Sequence, residues 1–315
     1  FNELNRKSPF SDLMATMVKY QGKIVGIPLT TGGEAHFWRK DILDDMGLTA
    51  PDTWTELKST AKKITLAGDV YGFATALGRP ATDGEKLLEV ALWCNGASVM
   101  DKDGKPALKS AEAKTAFEFV AGMVREGIMP EGITSWDDGA NNRAYQTRSV
   151  AGVQNSASVY NYMNTQDKEL LNDTVIIPIP KGPAGRFTDT VPHAVGVNKS
   201  TKNLKAAKDL VLYIMDLDRY NGWIKEAGGQ IQPVYPALVS DPFWSDPYRK
   251  PFIEMGARYG AYQGYPGPGS AAAGEIFSTY VLSDTIQKVI IDGWSVDRAL
   301  DWGMEKVTEI YERWQ

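Results

Sequence analysis

Apolar and polar positions alternate in two different periods along this chain, and the two periods take turns. Residues 23–29, KIVGIPL, are β-branched and alternating, which predicts a strand. Residues 35–39 form a second extended run, and 40–46 read as a helix stopped at Gly47. Thr53 and Glu56 stand at capping-box spacing, where hydroxyl and carboxylate satisfy free amides at a helix start. Trp54, Leu57, Ala61 and Ile64 then share one face before Gly68 ends the helix. Further strands are expected at 70–76, 150–153, 175–179 and 194–197. Helices are expected at 85–94, from Ser110 to Gly127, and at 141–147, 203–215, 271–280, 283–291 and 296–314. Strands alternating with helices predict an α/β protein with mostly parallel sheets. In open α/β sheets ligands sit at the carboxyl ends of strands, where loops meet. The loops rich in Gly, Pro and aromatics are 30–34, 152–158, 227–235 and 262–270.

Composition narrows the function. A chain of 315 residues is long enough for two lobes, because single cores stop growing near roughly 250–300 residues. With 43% hydrophobic residues, disorder is excluded as the main state, and no apolar run approaches the roughly 18–20 residues of a spanning helix. The net charge of −5 argues against nucleic acid, which needs a basic patch. Cys94 is the single cysteine, so no internal disulfide can form, and with no basic partner in view it reads as an inert buried thiol. Two histidines, His36 and His193, leave little for zinc or His-dependent catalysis. Phe1, Asn2 and Glu3 show no initiator Met and no leader, which reads as a processed chain or one that begins inside a longer protein.

Motifs of chemistry are mostly absent. There is no GxSxG elbow, no GxxxxGK[ST] loop and no GxGxxG after a strand. The GYPGPG run at 264–269 carries two prolines that remove amide donors, so it reads as an aromatic-studded loop rather than a phosphate cradle. Asp101 and Asp103 before Gly104 read as an Asp-Gly turn, not a calcium loop. The adjacent pairs Asp44 with Asp45 and Asp137 with Asp138 do not face each other as catalytic acids would. Glu34, a lone acid in a Thr-Gly-Gly loop, reads equally as a ligand acceptor or a surface acid. His36 reads as a partly buried core residue; His193 stands at a loop–strand junction, open to either role. Trp93, at the end of an apolar helix, is a core ring or a ligand platform.

At residues 20–64 the stretches YQGKIVGIPL and FWRKDILDDMGLTAPDTWTELKSTAKKI resemble the bacterial extracellular solute-binding proteins of ABC transporters, family 1. Gly22, Lys23, Gly26 and Pro28 match that family's "G-K-x-x-G-x-P" strand. Lys40, Asp41, Gly47, Leu48, Pro51, Thr53, Trp54, Glu56 and Leu57 match its strand-to-helix junction and its "G-L-x-x-P-x-T-W-x-E-L" run, while Phe37, Trp38 and Arg39 stand where Tyr, Tyr and Asn are usual. IPIPKGPAGR at 177–186, the helix entry within 197–210, the 228–233 loop, and Asp297 with Leu300 carry the likeness along nearly the whole chain.

The resemblance implies a type II periplasmic-binding fold, with two lobes, a hinge and an interlobe ligand cleft. It divides the chain into a first lobe of 1–29 and 191–237, lacking an N-terminal strand–helix–strand block, and a second lobe of 30–190 and 238–315. Carried over position by position, the ligand-facing residues are Thr31, Gly33, Glu34, Trp93, Asn155, Ser156, His193, Gly228 and Gly229. Asn155, Ser156, Ala157 and Ser158 replace the "G-x-W" of carbohydrate binders, so Tyr262, Tyr265 and Phe277 are expected to supply the stacking platform. The implied function is an extracytoplasmic receptor that binds a sugar or small oligosaccharide and delivers it to the permease subunits of an ABC importer. No catalytic residue, cofactor or metal is implied. The implied location is the periplasm or cell exterior, peripheral to the membrane, with a lipid anchor as one means of attachment. A glycerol phosphoester, polyamine or amino sugar is the alternative ligand. A glycoside hydrolase is the rival, and it would need two carboxylates about 5–10 Å apart across the cleft.

Overall fold

A computed structural model describes residues 1–79, 81–190 and 192–315. Its organising element is the strand Ala35–Arg39, in which all five residues are buried. Successive side chains of a strand point to opposite faces. Phe37 accordingly enters one apolar cluster, with Tyr145, Val153, Tyr160 and Phe252, while Trp38 enters another, with Leu57, Phe73, Leu88 and Phe117. Burial on both faces is what makes a short α/β strand read as a continuous apolar run.

The strands predicted at 150–153 and 175–179 form at Gly152–Asn155 and Thr174–Ile177, on either side of Ala35–Arg39, and both pair with it antiparallel. The expectation of mostly parallel sheets is therefore corrected. The physical reason is the chain path: Ala35–Arg39 arrives from another part of the molecule and enters the sheet from the opposite end. The run 70–76 makes no ladder of its own, but Tyr71 and Ala74 bridge Val150 and Val153 in the parallel sense. Helices Trp54–Ala67, Thr82–Asn95, Ala111–Arg125, Val281–Ile290 and Val296–Arg313 cover the Trp38 side. The capping box forms as its spacing predicts, with Glu56 N donating to Thr53 Oγ1 at 3.1 Å and Thr53 N donating to Glu56 Oε2 at 3.1 Å. Asp101 Oδ1 accepts from the amides of Asp103 and Lys105, so the Asp-Gly segment is a turn.

A separate core gathers Leu4, Phe10, Met14, Tyr220, Ile224 and Tyr235. Leu238, Trp244 and Ile253, which lie beyond residue 237, pack with it too. Val191, where the second segment of the first lobe is expected to begin, lies outside the described residues. Strand Ile27–Thr30 pairs antiparallel with His193–Val195 beside this core. The chain then crosses at 31–34 into the Ala35 strand. Gly33 is required at the crossing: a Cβ there would stand 2.9 Å from Gly256 N and 3.2 Å from Phe252 O. Among the described residues no helix is long and apolar enough to cross a membrane.

Candidate functional site

Where the crossings meet, short extended elements set polar side chains against one another. Glu34 follows the first crossing, and its amide donates to Thr188 Oγ1 at 2.9 Å. Its carboxylate is 4% exposed and takes Lys86 Nζ at 3.1 Å on one oxygen and Gln154 Nε2 at 2.8 Å on the other. Gln154 comes from strand Gly152–Asn155, and its Oε1 lies 3.3 Å from His36 Nε2. Lys86 comes from helix Thr82–Asn95 and lies 4.0 Å from Asp83, which in turn accepts from Asn141 Nδ2 at 2.9 Å. The wall continues through Asn142, Asn155, Ser156 and Ser158, whose amides and hydroxyls hydrogen-bond one another. On its other side Gln263 Nε2 donates to Asp189 Oδ1 at 2.9 Å and to Glu89 Oε2 at 3.4 Å.

Burial governs the electrostatics. Asp83 and Asp189 are each pushed up to about 7, first by burial, with the charge of Glu34 acting in the same direction. Glu89 is raised well above the usual carboxylate range by burial and then by Asp189. Glu85 is raised to about 7 by burial, against the pull of its bonds from Leu282 N, Ser283 N and Ser283 Oγ. Lys86 is raised, chiefly by Glu34. Burial lowers His36 to about 3, so its ring is neutral, as a core histidine should be.

These shifts set a pH dependence. A carboxyl whose folded value lies above its unfolded value gives stability that is complete below the unfolded value and lost as pH rises through the folded one. Asp83, Glu85, Glu89 and Asp189 all act in that sense, while His36 acts oppositely and only below its unfolded value of 6.5. Thermal unfolding should therefore show a melting point that falls from about pH 5 to about pH 8, with Glu85 alone accounting for on the order of 3 kcal/mol at most. The slope should flatten in Glu85→Gln; a wild-type profile that is level or rises over that range contradicts the account.

The structure gathers only part of the expected site. Glu34, Asn155 and Ser156 stand in the polar wall. Thr31 and Gly33 meet Gln232 instead: Thr31 bridges Gln232, whose Oε1 accepts from Gly33 N at 3.0 Å. His193 is exposed, with Nδ1 2.8 Å from Thr30 Oγ1, at the edge of the crossing. Gly228 and Gly229 take left-handed φ values of 67° and 98°; a Cβ on Gly228 would stand 2.4 Å from Asn161 Oδ1, and one on Gly229 3.0 Å from Arg249.

The aromatic residues expected at the site lie in different surroundings. Trp93 is 3% exposed and lies in the main core, its ring 6.0 Å from Tyr265 and 6.5 Å from Phe187. Tyr265 is half-buried and packs against the edge of that core. Phe277 is half-buried on helix Ala271–Ser278. Tyr262 lines a cavity of about 680 Å³ with Tyr20, Pro192, Gln263 and Ser270, and Gln263 is the link between that cavity and the wall. Trp93→Phe is accordingly expected to cost about 1–2 kcal/mol in chemical denaturation, less than the roughly 3–5 of truncation to Ala, and to leave solute affinity unchanged. A large loss of affinity without loss of stability would return Trp93 to the site.

Sequence reasoning singled out none of Lys86, Asp83, Gln154, Asn141, Asn142, Asp189 and Gln263, although the resemblance implies that the helix around 85–93 and the segment 154–158, which hold Lys86 and Gln154, face the cleft. A signal was present for Lys86 and Asp83. Asp83, Glu85, Lys86 and Glu89 are charges set into a helix that otherwise reads as apolar, and buried charges need partners.

The family profile described as "bacterial extracellular solute-binding protein" matches residues 1–251. The chain belongs to that family. This solute-binding protein is 26% identical over 215 residues to a binding protein of Brucella abortus, covering 67% of this chain and 51% of that relative. It is 23% identical over 228 residues to an ABC transporter periplasmic-binding protein of Escherichia coli, covering 70% of this chain and 50% of that one. The chain thus spans about half the length of the curated relatives it matches. Among solved structures, maltose-bound MalE3 of T. maritima superposes with a TM-score of 0.84 at 22% identity, covering 98% of this chain and 78% of that chain. A sugar transporter protein of Arthrobacter chlorophenolicus with bound laminaribiose gives 0.84 at 18% identity, covering 98% and 79%. At such identities the likeness establishes the fold: that of the periplasmic binding proteins of sugar importers, as the resemblance implied.

Proposed function

We propose that this solute-binding protein holds a sugar or small oligosaccharide between two lobes and delivers it to the permease of an ABC importer. The observation that carries the reading is the polar wall at the crossings. It offers carboxylates, amides and hydroxyls in a row, from Glu34 and Asp83 to Asn155 and Ser158. Hydroxyl groups both donate and accept, so a polyol can match such a row, and an analogue lacking a hydroxyl leaves a buried group unpaired. Sugars are bound in two of the solved structures that share the fold, which supports the same class here.

In this reading the first lobe comprises 1–29 and 191–237 and the second 30–190 and 238–315; the separate core around Leu4, Tyr220 and Tyr235 supports the first, while Leu238, Trp244 and Ile253 of the second pack into that same core. Closure by hinge motion at the crossings removes the solute from water and creates the form that a permease recognises. The protein acts outside the cytoplasm, in the periplasm or at the cell surface, held there freely or by a lipid anchor. Binding is the whole of its chemistry: the acids of the wall are paired with Lys86, Gln154, Asn141 and Gln263 rather than set across a cleft as acid and nucleophile.

The test is a thermal-shift screen against neutral sugars, amino sugars, polyols, polyamines and phosphoesters, with mass analysis of the recovered solute. A solute at about 100 times its dissociation constant should add roughly 2.7 kcal/mol of stability. A sugar that stabilises and is recovered unchanged is the expected result. Response to a phosphoester alone would contradict the sugar assignment, and recovery of a cleaved sugar would contradict binding without catalysis.

A further inference from the structure

The wall carries more carboxylate than its one ammonium neutralises. Glu34 and Asp83 face Lys86 Nζ at 3.1 and 4.0 Å. Asp189 and Glu89 share the single side-chain amide of Gln263. Asp189 is 1% exposed, yet its Oδ2 has no hydrogen-bond donor among the described residues. A buried carboxylate oxygen left without a donor is costly, and its persistence calls for a group that supplies one. Among the described residues no three acidic, histidine or cysteine groups converge closely enough to hold a metal ion. The charge distribution suits instead a cation with several directional N–H donors, which an alkylammonium is. The remainder of the wall, from Gln154 through Asn155, Asn142, Ser156 and Ser158, offers amides and hydroxyls rather than an apolar channel, so the skeleton bearing that ammonium is hydroxylated.

We infer that the solute is a sugar bearing a free amino group, whose ammonium meets Asp189 and its neighbouring carboxylates while the amide half of the wall takes the hydroxyls. The inference rests on the solute-receptor reading above. It has a consequence that a neutral sugar lacks. The titratable groups around Asp189 are Glu34 from the first crossing and Lys86 and Glu89 from helix Thr82–Asn95. Asp83 and Asp189 are partly protonated near neutrality because burial raises both to about 7. An arriving ammonium favours their ionised forms, so binding expels protons to the buffer.

The experiment is calorimetric titration of the protein near pH 6.5, where a sugar amine is already charged, in two buffers of different ionisation enthalpy. The probes are the glucosamine disaccharide, its N-acetylated counterpart, laminaribiose and spermidine. The expected result is binding of the glucosamine disaccharide at least about ten-fold tighter than its N-acetylated form, with net proton release, and loss of that advantage in Asp189→Asn. Folding of the variant is checked by circular dichroism; if it does not fold, Glu89→Gln replaces it, with the same loss expected. Equal or tighter binding of laminaribiose or the N-acetylated sugar overturns the inference and leaves the sugar receptor standing. Binding of spermidine alone overturns the sugar skeleton and the receptor reading with it. Failure of all four to bind overturns the inference, and a response to another sugar in the thermal-shift screen then decides whether the receptor reading survives.

Discussion

Replacing Lys86 by Met should destabilise the protein by about 3–5 kcal/mol at neutral pH and abolish solute binding. Lys86 is the one cation in the wall among the described residues, with Glu34 at 3.1 Å and Asp83 at 4.0 Å. Methionine keeps most of the stem volume, so packing is largely preserved and the loss reports the charge. What remains is Glu34, nearly wholly buried and holding only the Gln154 amide. A pair broken from one side leaves an uncompensated buried charge, which costs more than the pair itself contributes. Two controls separate this from simple misfolding. Acidification should restore part of the lost stability by protonating the stranded acids, and adding Glu34→Gln to Lys86→Met should restore more. Urea unfolding of the three proteins provides the comparison. A Lys86→Met protein as stable as wild type, or a double variant no better than the single, would show that the wall is not the coupled unit described.

Replacing Gly72 by Ala should destabilise by at least the roughly 3 kcal/mol upper end of overpacking substitutions, and should weaken binding in whatever fraction still folds. A Cβ at Gly72 would lie 1.9 Å from the carbonyl oxygen of Ala61 and 2.5 Å from its Cα. Ala61 is fully buried in helix Trp54–Ala67, so neither backbone can yield cheaply. The same residue's amide donates to Thr65 Oγ1 at 2.8 Å, which fixes its approach to the helix. Its neighbours Tyr71 and Ala74 bridge Val150 and Val153, beside the strand that carries Gln154 and Asn155. Displacement of 71–74 is thereby passed to the wall. Gly274 is the contrast: it lies in helix Ala271–Ser278 with nothing within 4 Å of an added Cβ, so Gly274→Ala should stabilise by about 0.5–1 kcal/mol. Melting temperatures of the two variants moving in the same direction would contradict this reading.

The elements with strong periodicity were legible in the sequence, and those without it were not. The stripe of Trp54, Leu57, Ala61 and Ile64 and its capping box specify Trp54–Ala67 locally. Ser158–Gln166 and Lys250–Arg258 escaped because their apolar faces are short and the first is rich in amides. Strand direction escaped for another reason: Phe37 and Trp38 announce burial on both faces, but nothing local tells from which end the chain enters the sheet.

The site divides along the same line. Glu34, Asn155 and Ser156 were marked out by the resemblance to a family; the pairing of Ala35–Arg39 with Gly152–Asn155 brings Gln154, rather than Asn155 or Ser156, to the Glu34 carboxylate. Trp93 and Tyr265 read as platform in the sequence because aromatic rings serve core and ligand alike, and only packing distinguishes the two. Asp189 and Gln263 are far apart in sequence, and their meeting is a product of the parallel pairing of Thr188–Asp189 with Gly260–Ala261.

The crystal structure of the complex with whichever sugar gives the largest thermal shift tests the central claim most directly. The expected result is intact sugar between the two proposed lobes, with hydrogen bonds to Lys86, Asn155 and at least one of Glu34 and Asp83. Sugar seated instead in the cavity between Tyr20 and Tyr262, with the polar wall untouched, would contradict it.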